Sequence, residues 1–347
     1  MITRRLPSIV AIVALVIGGL ATSTGASETV TITLVTHDSF NVSKAVLRAF
    51  TRSTDIKVRI LRAGDAGQAL NQAILTKDHP IGDVLYGVDN TFLSRALDNG
   101  IFEPYTARQL DLVPSGYVLD RRHRVTPIDR ADVCVNYDKE WFADHGLAPP
   151  TSFKHLTSDA YKSLTVVENP ATSSPGLAFM LATRANFIGE SWRNYWTSLR
   201  ANDVLVVDGW EQAWYEHFTA ASDSGDRPVV VSYASSPPAT IPEDGGPARA
   251  GSVASTCFQQ IEFAGVLKGT ERRGAARQLV DFMLSKRFQE DMPEQMYVFP
   301  VRGDAALPPA FVEYAGLPER PALSIPPEDI ERNRDTWIRQ WTEIVLR

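Results

Sequence analysis

The sequence predicts an α/β fold of two lobes joined by two crossing segments, a hinged clamshell. Two blocks of alternating strand and helix patterns, over residues 29–90 and 164–232, give the lobes. Two extended stretches, 125–137 and 257–266, give the crossings. An outer lobe would then hold residues 27–128 and 262–347, with an inner lobe, 129–261, inserted into it. At 347 residues the chain has the length of about two domains.

Residues 1–26 read as a leader that the fold discards. Arg4 and Arg5 make a positive start, residues 9–20 an apolar run, and Thr24-Gly25-Ala26 a small-residue cleavage site. The run is too short for a comfortable membrane span, and no later stretch is long enough. The mature chain is therefore expected to begin near Ser27, exported and soluble. No cysteine immediately follows the leader to carry a lipid. The leader holds two arginines and no acid, so its loss takes the formal charge from −6 to −8. That balance, without any Lys/Arg run, speaks against nucleic acid as a partner. Cys134 and Cys257 are permitted a disulfide in an exported protein, but the sequence alone does not place them together. Two cysteines and six histidines without ligand spacing give no expected metal site.

Residues 29–35 alternate as a strand that ends in Thr36-His37-Asp38-Ser39-Phe40, and Val46, Leu47 and Phe50 then recur at helical spacing. A second strand follows at 56–60, a second helix at 66–75, and a third strand at 83–86 that runs into Gly87-Val88-Asp89-Asn90. In a sheet of this kind the loops at the carboxyl ends of the strands form the ligand crevice. Residues 37–40, 64–67 and 87–90 sit at such ends. Asp38 and Asp65 add acids there, suited either to a ligand amine or to capping their own loops.

In the second block a strand at 164–167 turns, over residues 169–180, into a helix. Ser174 reads as its N-cap and Pro175 as its first residue. The amides of Gly176 and Leu177 would then point outward beside the hydroxyls of Ser173 and Ser174. That pattern is either an anion site or an ordinary helix start. Strands at 204–207 and 228–232 follow, with a helix between them at about 211–221, and a Gly/Pro-rich loop spans 242–251. After the second crossing come a helix at 273–284 whose Ala275 side faces a core, a further helix, and a loop at 294–301. Trp337, Trp341, Ile344 and Val345 form the apolar stripe of a last helix, expected as core packing.

Aromatic residues stand just past strand ends: Trp210 after Asp208-Gly209, Tyr233 before Ala234-Ser235-Ser236-Pro237, and Tyr297 in the late loop. In a cleft such faces attract an organic cation or a flat heterocycle. Taken with the anion site, the expected ligand is zwitterionic or phosphorylated, with a planar cationic part.

The sequence resembles the thiamine-binding periplasmic proteins of ABC importers, within the two-lobed (type II) periplasmic binding proteins that include ferric-iron binders. The resemblance covers nearly the whole mature chain. It rests on Thr36-His37-Asp38-Ser39-Phe40, Gly87-Val88-Asp89-Asn90, Ser173-Ser174-Pro175-Gly176-Leu177, Asp208-Gly209-Trp210, Ser232-Tyr233-Ala234-Ser235-Ser236-Pro237 and Trp337-Ile338-Arg339-Gln340-Trp341. It implies a monomeric periplasmic protein, without cofactor, that closes on thiamine, thiamine monophosphate or thiamine diphosphate and delivers it to a membrane permease. By position it implies that Asp65 and Ala66 line the site from the first lobe. Ser173 and Ser174 would hold the hydroxyethyl or phosphate end, and Trp210, Tyr233, Ala234, Ser235 and Ser236 the rings and phosphate. His37 stands where the family has tyrosine, Ala66 where it has glycine, Tyr297 where it has tryptophan, and Ala239 where a further tyrosine stacks on the ligand.

Iron binding would call for adjacent tyrosines, and the matching segment has Tyr233 alone. Two other readings stay open. One is a binder of another cationic or phosphorylated solute, such as a polyamine or a phosphonate. The other is a thiaminase-like enzyme using Cys134 with Glu262. Against it, Cys134 alternates with Val133 and Val135 in a strand of buried type. The crossings of this fold class run side by side and each carries one cysteine. The resemblance thus points to a Cys134–Cys257 disulfide that tethers the hinge, with buried free thiols as the alternative.

Overall fold

The computed structural model describes residues 29–316 and 322–347; the expected leader lies outside the described residues. The first lobe opens with β1 (Val30–Thr36), α1 (Lys44–Thr54), β2 (Ile56–Arg62), α2 (Ala66–Leu75), β3 (Val84–Asp89) and α3 (Leu93–Asp98). β1 takes the middle, buried toward both faces from Ile32 on, and β2 and β3 flank it in parallel. Helix α1 starts where Ser43 Oγ accepts the Val46 amide at 3.3 Å, and buries Val46 and Phe50 against the sheet. Helix α2 starts in a capping box: Asp65 accepts the Ala66 amide at 2.6 Å, while the Gln68 side chain accepts the Asp65 amide at 3.2 Å.

The two crossings are the longest strands. β4 (Thr126–Asp138) and, later, the partner to which it pairs antiparallel, at Ala250–Val266, form a ribbon through the whole sheet. Between them come α4 (Lys139–Asp144), β5 (Thr165–Glu168), α5 (Ser174–Asn186), α6 (Glu190–Ala201), β6 (Leu205–Val207), α7 (Trp210–Gln212) and β7 (Val229–Tyr233). The second long strand is β8 (Ala250–Val266). The strand order is β2-β1-β3-β8-β4-β7-β5-β6. β3 pairs with the Glu262–Val266 end of β8, whereas β7 pairs with the Val133–Tyr137 end of β4. The lobes therefore hang from opposite ends of the ribbon.

Midway, the ribbon is irregular. Val133 pairs with Phe258 but Val135 pairs with Val253, so Cys134 faces a bulge of β8. Cys134 and Cys257 are bonded across it, buried beside Ala234. β8 starts seven residues before the expected 257, inside the stretch read as loop. Gly251 explains the difference. It lies under the Tyr137 ring, where a Cβ would fall 2.6 Å from Cζ, so this glycine marks a close approach within a strand rather than a turn.

The chain closes with α8 (Arg273–Met283), α9 (Lys286–Gln289), α10 (Met292–Met296), β9 (Phe299–Pro300), α11 (Pro309–Tyr314) and α12 (Pro327–Val345). α8 turns Ala276, Leu279, Val280 and Met283 into the core, with Ala275 at its edge. The expected loop at 294–301 is partly ordered. Pro293 opens the short turn α10, Tyr297 closes it in the left-handed region at φ 56°, and β9 pairs with Asp129 and Arg130 of β4. On α12, Trp341 is fully buried and meets Trp196 of α6 edge-on, with ring centroids 5.5 Å apart. α12 packs against α6 of the inner lobe and also against α3 of the outer one. Among the described residues no helix is long and apolar enough to cross a membrane.

Candidate functional site

The carboxyl ends of β1, β2 and β3 bring His37, Asp65 and Asp89 toward those of β5, β6 and β7, which bring Ser173, Trp210 and Tyr233. The lobes touch directly here. The Trp210 amide donates to Asp65 Oδ2 at 2.9 Å, the Gly67 amide donates to the Thr172 carbonyl at 2.9 Å, and the Ser174 hydroxyl donates to Asp89. Gly67 permits this approach because a Cβ there would lie 2.7 Å from the Thr172 oxygen. Gly67→Ala is therefore expected to hold the lobes apart. Small-angle X-ray scattering should report a larger radius of gyration, and an unchanged profile would show that this contact does not set closure.

Between the lobes lies a cavity of about 260 Å³, close to the lower end of small-molecule sites, roughly 300–1,000 Å³. Asp38, Asp65, Asp208, Glu211 and Glu216 line it, and no lysine or arginine does. Ser39 and Trp210 are shared with an adjoining chamber of about 40 Å³, walled by the rings of His37, Trp210, Tyr215, Tyr233 and Tyr297 and reached by Glu262. The crevice is thus an acidic mouth leading to an aromatic end.

Trp210 is held on several sides. Its indole Nε1 donates to Ser232 Oγ at 2.8 Å, and Ser232 Oγ lies 2.8 Å from Ser236 Oγ. Ser236 Oγ in turn accepts the Tyr233 amide at 3.2 Å. The indole stacks on Trp214 with centroids 5.5 Å apart and meets Tyr215 edge-on at 5.7 Å. Tyr215 comes round to Trp210, five residues earlier, because the expected helix at 211–221 is replaced. After α7 the turns widen over Ala213–His217, where the Phe218 amide bonds the Ala213 carbonyl at 3.0 Å. An i→i+5 turn aligns residues five apart, which an α-helix would set on different faces.

Beneath the rings lies a buried network on the ribbon. The Tyr86 hydroxyl is 2.5 Å from Asp129 Oδ2 and 3.0 Å from Glu262 Oε2, and His37 Nε2 is 3.6 Å from Glu262. Burial pushes the Asp129 carboxyl well up, and the charge of Glu262 pushes it further. Burial also works against ionised Glu262, but the His37 charge and the hydrogen bond from the Tyr86 hydroxyl help to outweigh it and hold Glu262 low. Burial likewise disfavours the His37 imidazolium, yet Glu262, with Asp65 and Asp38 beyond, raises it overall. The network thus favours charge on Glu262 and His37 over charge on Asp129.

The structure corrects the reading of the helix start at 173–177. Ser173, not Ser174, is the N-cap: its backbone is extended and its Oγ accepts the Gly176 amide at 3.4 Å. Ser174 is the first helical residue and its hydroxyl is committed to Asp89. Both serines are buried, so this helix end meets a carboxylate of the protein rather than open space. Of the other expected site residues, His37, Asp65, Trp210, Tyr233 and Tyr297 line the two cavities. Ser236 supports Tyr233 and Trp210 from behind. Ala66, Ala234 and Ser235 are buried and line neither cavity, Ala234 being packed on the disulfide. Ala239 packs into the small core around Trp214.

Sequence reasoning missed Glu211 on α7, Tyr215 and Glu216 in the widened turn, and Met296 and Gln295 beside Tyr297, all of which line the crevice. Glu262 entered only as a partner for Cys134. That pairing fails, because Cys134 is disulfide-bonded and has no thiolate to offer.

Two lobes that share one sheet and close their strand ends over a ring-lined crevice form a clamshell. The chain belongs to the bacterial extracellular solute-binding protein family, whose model matches residues 79–318. It is 28% identical over 324 residues to the thiamine-binding periplasmic protein of Salmonella typhimurium, covering 91% of this chain and 94% of that protein. Its fold matches a solved periplasmic thiamin binding protein with a TM-score of 0.80 at 24% identity, over 91% of this chain and 96% of that one. Iron-bound HitA from Pseudomonas aeruginosa matches with a TM-score of 0.69 at 20% identity, over 91% and 99% of the chains. These structural likenesses speak to the fold alone.

Proposed function

We propose that this protein captures thiamine in the interlobe crevice and hands it to the membrane permease of an ABC importer. It would do so in the periplasm, as a monomer freed of its leader and without a cofactor. The observation that carries the reading is the pairing of an aromatic chamber with an acidic mouth. Thiamine joins two flat heterocycles, a cationic thiazolium and an aminopyrimidine, through a methylene. Ring faces attract such a cation once it is desolvated, and carboxylates accept hydrogen bonds from the amine. The likeness to proteins named as thiamine-binding supports the same reading.

In this account Trp210, Tyr215, Tyr233 and Tyr297 face the rings, while Glu262 and Asp65 face the positive charge and the amine. Ligand held by both lobes would add to the direct contacts of Asp65 with Trp210 and of Gly67 with Thr172, and so favour closure. No bond is made or broken. Calorimetric titration of the purified mature chain with thiamine tests this, with putrescine as the flexible cation for comparison. One-to-one binding in the micromolar range or tighter, with the ligand recovered intact, is the expected result. A chain that binds putrescine but not thiamine, or that releases free pyrimidine, would overturn it.

A further inference from the structure

Resting on the thiamine reading, we infer that capture exchanges one cation for another: the ligand's charge takes the place of a proton held on His37, and binding sends that proton into solution. The exchange turns on Glu262, the one carboxylate that reaches the aromatic chamber among the described residues. Its Oε2 accepts the Tyr86 hydroxyl at 3.0 Å, and its Oε1 lies 3.6 Å from His37 Nε2. At that distance His37 balances Glu262 by charge without being locked to it by a hydrogen bond. The imidazole is held facing this way. Its Nδ1 lies 2.8 Å from Ser39 Oγ, and its edge rests on Gly87, where a Cβ would fall 2.3 Å from Cδ2. Nε2 is buried and has no hydrogen-bond partner among the described residues.

The charges that face His37 come from every element around it. Asp38 stands next to it in its own loop, Asp65 at the start of α2, Glu262 on β8 and Glu211 on α7. Behind Glu262, Tyr86 of β3 reaches Asp129 of β4. Tyr215, Tyr233 and Tyr297 share the chamber, and burial holds their hydroxyls above the ordinary value, so they stay neutral. Arg62 bears the opposite sign, but its guanidinium is spent on the carbonyls of Asp38 and Phe40, each at 3.0 Å. Burial works against the imidazolium, yet Glu262, Asp65 and Asp38 outweigh it and hold His37 above its ordinary value. A thiazolium brought against the rings becomes the counter-charge of Glu262 and repels the imidazolium beside it, which removes the cause of that rise. The proton on Nε2 then leaves to water through the mouth, which shares Ser39 with the chamber. The neutral ring keeps its other proton on Nδ1, toward Ser39.

Because free His37 holds its proton to a higher pH than bound His37, affinity rises with pH between the two values and levels off above the upper one. The test is calorimetry with thiamine on the wild-type chain and on His37→Gln, in buffers of different ionisation heat, which counts the protons released. At about pH 6.5 the wild type is expected to release about half a proton or more per thiamine, and at about pH 8.5 almost none. Its affinity should be about fivefold or more tighter at about pH 8 than at about pH 6. His37→Gln keeps a polar side chain without a titrating ring. It should show less than about half the wild-type release and less than about a twofold change in affinity over the same range. Wild-type binding with no release at the lower pH overturns the exchange and needs no variant to fold. Release that persists undiminished in a folded His37→Gln places the proton on a carboxylate and overturns the role given to His37. If thiamine does not bind at all, the thiamine reading falls and takes this inference with it.

Discussion

Replacing Trp210 by alanine is expected to weaken thiamine binding by about 100-fold, roughly 2.7 kcal/mol, from the loss of a desolvated cation–ring contact and of stacking area. The effect should be large because Trp210 alone among the rings borders both cavities. Its removal also leaves Ser232 without the indole donor and uncovers Trp214. The backbone bond from residue 210 to Asp65 survives the change, so closure itself should persist. Trp210→Phe should recover part of the loss, since the ring returns without the N–H. Calorimetry on both variants separates the contributions. An alanine variant within fivefold of wild type would remove Trp210 from the binding surface.

The largest expected effect on stability comes from the Cys134–Cys257 bond. Its partners are 123 residues apart in sequence. Closing a loop of about that length is worth roughly 4–5 kcal/mol in the chain-entropy account. The double variant Cys134→Ser/Cys257→Ser should therefore melt about 7 °C lower, taking about 1.5 °C for each kcal/mol in a chain of this size. Reductant should have the same effect on the wild type and none on the variant. Scanning calorimetry in the presence and absence of reductant reads both, and equal melting temperatures would refute the argument.

Much of the fold was legible because local signals agreed. Val30–Thr36 and Ile56–Arg62 alternate, Ala66–Leu75 begins in a capping box, and Arg273–Met283 repeats its apolar face at helical spacing. What was not legible depended on partners distant in the chain. Gly251 looks like a turn residue until Tyr137 is laid across it. Ser174 looks like a cap until Asp89, 85 residues earlier, takes its hydroxyl. The site followed the same rule. Residues just past strand ends, such as Trp210, Tyr233 and Asp65, could be placed by topology. Tyr215 could not, because a sequence read with a period of 3.6 turns it away, and only the widened turn at Ala213–His217 brings it back. The proximity of the two cysteines needed the ribbon register, which the resemblance implied and residue spacing did not.

The last helix alters what opening the crevice involves. α12 contributes Ile330, Trp341 and Val345 to one continuous apolar cluster that also takes in Trp196 of the inner lobe and Ala96 of the outer one. A motion that parts α12 from either neighbour must wet some of that seam. Water around newly bared hydrocarbon carries a positive heat capacity, and the cost of baring it falls as the temperature drops. Cooling therefore loosens the grip of the C-terminal strap while leaving the polar contacts at the mouth in place. The population of open molecules, and with it the speed at which cargo is released, should be tuned as much by this remote oily seam as by anything that touches the cargo.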